Sequence, residues 1–212
     1  MQKNHVGARW VVKIGGSLLG SPELERWLAL FAKFSDGQII VVPGGGLFAD
    51  AVREAQKLSK VSDSCAHRLA VLAMDQYGLL LANMNPQLAT ARTEMEIDER
   101  TWQHRCVIWL PSQMVLADDT IPKSWEVTSD SIAAWLAQKV NAQQLVLVKS
   151  DKPTESELSL RMMTSTGMLD EAFSEFVLNK TFGRWMLKKS DYAHFVEGIN
   201  LAMLDKIGSS LH

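Results

Sequence analysis

Two short, continuously apolar runs break into glycine within the first fifty residues, and this pairing constrains the fold more than any other feature. Val11-Val12-Lys13-Ile14 passes into Gly15-Gly16-Ser17-Leu18-Leu19, and Ile39-Ile40-Val41-Val42 passes into Pro43-Gly44-Gly45-Gly46. Each run is short enough for a strand and has no wet alternate face, as in a parallel sheet covered on both sides. Behind each turn the apolar residues change to helical spacing: Leu24, Trp27, Leu28, Phe31 and Phe34 after the first, Phe48, Ala49, Val52, Ala55 and Leu58 after the second. Ser21-Pro22-Glu23 reads as a helix start, with a capping hydroxyl, a proline at the first position and an acid in the first turn. Asp36-Gly37 reads as its stop.

Further along, Asp63 caps a long helix running to about Ala82, ended or bent by Pro86. A helical piece is expected over 87–96, a strand over Cys106–Leu110 before Pro111, and a short element over Met114–Ala117. Thr128-Ser129-Asp130 opens a helix through Ile132, Ala133, Leu136 and Ala137 with a cluster of polar caps. Leu145–Val148 is a buried strand ending in Lys149-Ser150-Asp151-Lys152-Pro153. A polar, irregular stretch follows to about Gly167, interrupted by 158–162. Residues 191–207 read either as one helix or as a strand over His194–Glu197 followed by a helix. Alternating strands and helices in a 212-residue chain imply α/β class, a three-layer α/β/α sandwich with a mainly parallel sheet, in one domain.

Composition narrows the function. A net charge of −2 argues against nucleic acid or an anionic membrane as partner. No apolar run approaches the roughly 18 residues of a span. Met1-Gln2-Lys3-Asn4-His5 lacks the apolar core of a signal peptide. Two cysteines, Cys65 and Cys106, form neither a metal-ligand spacing nor a disulfide framework, so a cytoplasmic location is expected. Most of the seven tryptophans fall on apolar stripes, and the scattered Met and Trp residues read as core. A homo-oligomer is expected, with apolar side chains such as Trp27, Met74 and Trp102 available to cover a dimer surface.

The two turns also carry the chemistry. Backbone N–H groups in a glycine turn backed by a helix suit phosphate, so two phosphorylated groups are expected, one at Gly15-Gly16-Ser17 and one at Gly44-Gly45-Gly46. Lys13 ends a buried strand, at the edge where ligands sit in an open α/β sheet. There it reads either as a snorkelling lysine or, beside the glycines, as a charge on a transferring phosphoryl group. Asp130 reads as an N-cap or as a carboxylate holding Lys13 and Lys149 across the site. Arg53 is a phosphate-binding guanidinium or a surface charge. His67 is a core histidine or a weaker site candidate, and Asp50 a solvated helix residue. Such a set suits phosphoryl transfer, where the protein chiefly positions two substrates and neutralises charge.

Three motifs in order, Val-Val-Lys-Ile-Gly-Gly-Ser-Leu at 11–18, Val-Pro-Gly-Gly-Gly at 42–46 and Thr-Ser-Asp-Ser-Ile-Ala-Ala at 128–134, resemble the amino acid kinase superfamily. Phe-Ala-Asp-Ala-Val-Arg at 48–53, the run at 66–75 and Ser-Trp-Glu-Val-Thr-Ser-Asp-Ser at 124–131 resemble the small kinases of methanofuran biosynthesis. Those convert an aminomethylfuran-methyl phosphate to its diphosphate. The resemblance implies a kinase using ATP with Mg2+, an acceptor-binding part over about 1–125 and a nucleotide-binding part over about 126–212. It implies that Lys13, Asp130 and Lys149 are catalytic and that Lys13, Gly15, Gly16, Ser17 and Lys149 bind ATP phosphates. Gly44, Gly45, Gly46, Arg53, His67, Thr128 and Ser129 would face a small phosphorylated acceptor, with no protein metal ligand assigned. Uridylate, isopentenyl phosphate and acylphosphate-forming kinases, and a non-catalytic phosphate-binding module, stay open. The chain departs from the superfamily pattern over 149–153 and at Thr166–Glu171, where acids stand near the place of a lysine.

Overall fold

A computed structural model describes residues 8–152 and 159–211. The signal-peptide reading at 1–5 and the part of the polar stretch at 153–158 lie outside them. Among the described residues seven strands form one sheet: β1 (Trp10–Ile14), β2 (Ile39–Pro43), β3 (Ala89–Ala91), β4 (Val107–Trp109), β5 (Gln144–Lys149), β6 (Gly183–Lys188) and β7 (Ser209–Ser210). Their order is β3-β4-β2-β1-β5-β6-β7, parallel throughout except that β7 runs antiparallel to β6. The α helices are α1 (Pro22–Phe34), α2 (Gly46–Ser59), α3 (Asp63–Met84), α4 (Glu94–Trp102), α5 (Ser112–Val115), α6 (Ser129–Lys139), α7 (Leu160–Ser165), α8 (Phe173–Val177) and α9 (Leu201–Ile207). Short 3₁₀ turns cover Gly16–Leu18 and Lys189–Phe195.

The continuously apolar strands feed two cores, one on each face. Val11, Leu145 and Leu147 pack with Ile132, Leu136 and Phe173 of α6 and α8. Val12, Ile14, Val146 and Val148 pack with Leu24, Trp27, Leu28 and Phe31 of α1 and with Tyr77 and Leu81 of α3. This is the three-layer α/β/α sandwich. α3 reaches both cores, because Val71 and Met74 face one and Tyr77 and Leu81 the other.

Several local expectations are corrected. Residues 89–91 are a strand, not part of a helix: Ala89 N–H donates to Cys106 and Leu110 N–H to Ala91, so pairing with β4 overrides a weak local preference. The helix begins only after Thr93, whose hydroxyl accepts the Glu96 N–H at 3.2 Å while the Glu96 carboxylate accepts that of Arg92 at 2.6 Å. Ser62, not Asp63, caps α3, accepting the Cys65 N–H. Ser21 stands at the cap of α1 without making a capping bond. Residues 194–197 are not a strand, and Gly198 (φ +147°) separates the 3₁₀ turn from α9. Trp27 and Met74 are buried in the cores and can cover no dimer surface, whereas Trp102 is 80% exposed.

Candidate active site

The site grows from strand parity. Successive side chains alternate across a sheet, so Lys13 shares a face with Val11, and Lys149 shares one with Leu145 and Leu147. β1 and β5 are adjacent, with Lys13 opposite Leu147. Both lysines therefore emerge on the α6 face, at the carboxyl ends of neighbouring strands. Asp130, in the first turn of α6, meets them. Lys13 Nζ lies 2.8 Å from Oδ1 and Lys149 Nζ 2.5 Å from Oδ2. The Lys149 contact is a hydrogen bond, while the Lys13 contact is an ion pair without hydrogen-bond alignment.

Asp130 is 1% exposed. Burial alone would raise its pKa, but the two lysines outweigh it and hold the carboxyl down at about 2. Lys149 is pushed below the ordinary lysine value by burial and by the charge of Lys13, against the pull of Asp130. Two cations thus share one carboxylate, which leaves them one net positive charge that a polyanion could offset.

The glycines serve first to let the two turns touch. A Cβ on Gly16 would lie 2.2 Å from the Gly46 nitrogen, and one on Gly44 would lie 2.6 Å from the Gly16 nitrogen. Gly46 also adopts a left-handed φ of +54°. Gly15 N–H donates to Val148 and Gly44 N–H to Ile14, which ties the turns to the sheet and spends those two donors. Gly16, Ser17, Gly45 and Gly46 face a cavity of about 380 Å³, within the range of small-molecule sites. Ser17 also reaches the end of β5, its hydroxyl 2.6 Å from that of Ser150.

Arg53, His67, Thr128 and Ser129 line the same cavity. Arg53 binds Asp50 at 2.9 Å and lies 4.6 Å from the centre of the Trp125 ring. His67 is buried, and its Nδ1 is 3.1 Å from the Ser124 carbonyl oxygen. A carbonyl only accepts, so Nδ1 carries the proton and Nε2 keeps its lone pair. Burial, aided by the charge of Lys123, lowers the His67 pKa against the opposing Ser124 bond.

Two residues escaped the sequence reading. Trp125 reads as core but forms the cavity wall, its indole N–H held by Gln56 at 2.7 Å. Its place five residues before Asp130 was the available signal. Asp170 caps α6 from forty residues downstream: it accepts from Thr128 Oγ1 at 2.5 Å and from the N–H groups of Thr128, Asp130 and Ser131 at 3.1, 3.0 and 2.9 Å. The local polar cluster at 128–130 therefore does not cap its own helix, and Asp130 is not an N-cap. No periodicity points to so distant a partner.

The chain belongs to the Amino acid kinase family, whose model matches residues 8–152. It is 31% identical over 138 residues to a protein of Methanocaldococcus jannaschii named "[5-(aminomethyl)furan-3-yl]methyl phosphate kinase", an alignment covering 65% of this chain and 63% of that one. In fold it resembles uridylate kinase from Archaeoglobus fulgidus (TM-score 0.65, 17% identity, 96% of this chain and 100% of that one). It also resembles UMP kinase from Bacillus anthracis (TM-score 0.64, 13% identity, 86% and 88%). Among the described residues no helix is long and apolar enough to cross a membrane.

Proposed function

We propose that the protein is an ATP-dependent kinase that phosphorylates the phosphate of a small molecule, [5-(aminomethyl)furan-3-yl]methyl phosphate, to the diphosphate. The observation that carries this reading is the convergence of Lys13 and Lys149 on Asp130, beside a cavity floored by two touching glycine turns. The named relative supplies the acceptor's chemistry. The cavity suits it: Trp125, Val71, Met74 and Ile132 offer apolar surface to a small ring, and the His67 lone pair can accept an N–H.

Bound ATP supplies the γ-phosphoryl group. An acceptor phosphate oxygen forms a bond to the γ-phosphorus as the bond to the β,γ-bridging oxygen breaks, and ADP leaves with that electron pair. The acceptor is already an anion, so no side chain need remove a proton. Lys13 and Lys149 neutralise charge on the phosphoryl oxygens, and Asp130 keeps both ammonium groups aimed at one point. The free N–H groups of the turns and the Ser17 hydroxyl orient the phosphates. Mg2+ fits as an ion carried by the nucleotide's own phosphates, since among the described residues no group of three His, Cys, Asp or Glu side chains is placed to cage one.

The test is ADP release with ATP and Mg2+ over an acceptor panel, with products read by 31P NMR. The aminofuran phosphate should give a diphosphate, at higher kcat/KM than UMP, isopentenyl phosphate or a carboxylate acceptor. Preference for UMP or isopentenyl phosphate overturns the acceptor, and turnover of carboxylates alone overturns phosphate phosphorylation. Nucleotide binding by calorimetry without turnover of any acceptor overturns the kinase reading altogether.

A further inference from the structure

Asp170 stands outside the cavity, yet among the described residues no other side chain holds so much of the start of α6. An α-helix begins with N–H groups that have no partner within it. In α6 the Asp170 carboxylate takes those of Asp130 and Ser131, together with the N–H and hydroxyl of Thr128. Two residues earlier, the Met168 carbonyl accepts from Lys149 Nζ at 2.6 Å. One short segment therefore grips both the turn that carries Asp130 and the lysine that Asp130 binds. Ala172 N–H donates to the Glu126 carbonyl at 3.1 Å, and Phe173 and Val177 of α8 pack into the core beside α6, so the segment is anchored on both sides of Asp170.

We propose that Asp170 is a positioning residue of the phosphoryl-transfer centre: it fixes the first turn of α6 so that the Asp130 carboxylate stands between Lys13 and Lys149. The inference rests on the reading of those three residues as the transfer centre. It also follows that the Thr128, Asp130 and Ser131 N–H groups are closed to substrate phosphate, since they are spent on an internal carboxylate. Substrate anions are left to the glycine turns, the lysines and Ser129, which lines the cavity. The Asp170 carboxyl is partly buried, and its pKa is raised by burial and by the nearby charge of Asp130. That cost is met by four hydrogen bonds that define one orientation of the turn.

Asp170→Asn tests this, because the carboxamide keeps the size while losing the charge and half of the acceptor capacity. With Tm and circular dichroism confirming a folded variant, kcat should fall about 30-fold while KM for ATP and for the acceptor each stay within about threefold, as expected when reacting groups are misplaced without losing substrate contacts. The Asp130 and Ser131 amide-proton resonances of the ligand-free protein should move upfield, a readout independent of turnover. A kcat within twofold of wild type, while Lys13→Ala and Asp130→Asn abolish turnover, overturns the positioning role and leaves the transfer centre standing. A rise in either KM at unchanged kcat also overturns it. Full activity in Lys13→Ala and Asp130→Asn removes the transfer centre itself, and the inference with it. Should Asp170→Asn fail to fold, Asp170→Ser, which leaves room for water, takes the same measurements and the same limits.

Discussion

Replacing Asp130 with Asn measures what this buried carboxylate contributes to stability. Its pKa falls from 3.8 to about 2 despite complete burial, so the lysines favour the charged form by roughly 2 kcal/mol beyond the desolvation cost. Asp130→Asn forfeits that attraction and leaves two ammonium groups facing each other with side chains 6% and 19% exposed. Removing one partner of a buried pair typically costs about 3–5 kcal/mol. Here the cost is limited, because Lys149, whose pKa burial and the charge of Lys13 lower, keeps the Met168 carbonyl as an acceptor. A loss of about 2–4 kcal/mol is expected from urea unfolding at neutral pH. Inorganic phosphate should then raise the Tm of the variant more than that of the wild type, since an anion can replace the missing carboxylate. The triple variant Lys13→Met/Asp130→Leu/Lys149→Met should recover at least half of the lost stability, because an apolar trio has no desolvation cost to offset. That outcome would mean the charges serve the reaction at the expense of the fold. Unfolding of Asp130→Asn within about 0.5 kcal/mol of wild type would refute the reasoning, being no more than an ordinary surface substitution produces.

Gly16→Ala should destabilise by about 2 kcal/mol or more, since its Cβ would lie 2.2 Å from a backbone nitrogen that cannot swing aside; thermal unfolding checks it. Trp125→Ala should raise the acceptor KM about tenfold with kcat within about threefold, because it removes the cavity wall and frees Arg53 but leaves the lysines in place; ADP-release kinetics with varied acceptor are the assay. For His67 the folded pKa lies below 6.5, so between that value and 6.5 the unfolded chain binds the proton and the folded chain does not. Stability should therefore be full above pH 6.5 and decline as pH falls below it. His67→Gln should flatten that slope in urea titrations at a series of pH values, and an unchanged slope would assign it to another group.

The parts of this protein that depend on short stretches of chain were legible in its sequence. Continuous apolar runs announced buried strands, glycine after them announced turns, and helical spacing announced α1, α2, α3 and α6, because each pattern reports burial along one element. Lys13, Asp130 and Lys149 stood out for the same reason, each at an element's end. Strands toward the edges of the sheet were less visible: β3, at one edge, is three residues whose identity depends on β4, and Gly183–Lys188 becomes β6 through its pairing with β5. Tertiary structure alone decided that β1 and β5 are neighbours, that their parity puts both lysines on the α6 face, and that Gly16 and Gly44 are needed to let two turns cross. It alone brought Asp170 to the start of α6. Periodicity records which side of an element is buried, whereas the partner that buries it is set by sheet order and by contacts spanning forty to more than a hundred residues.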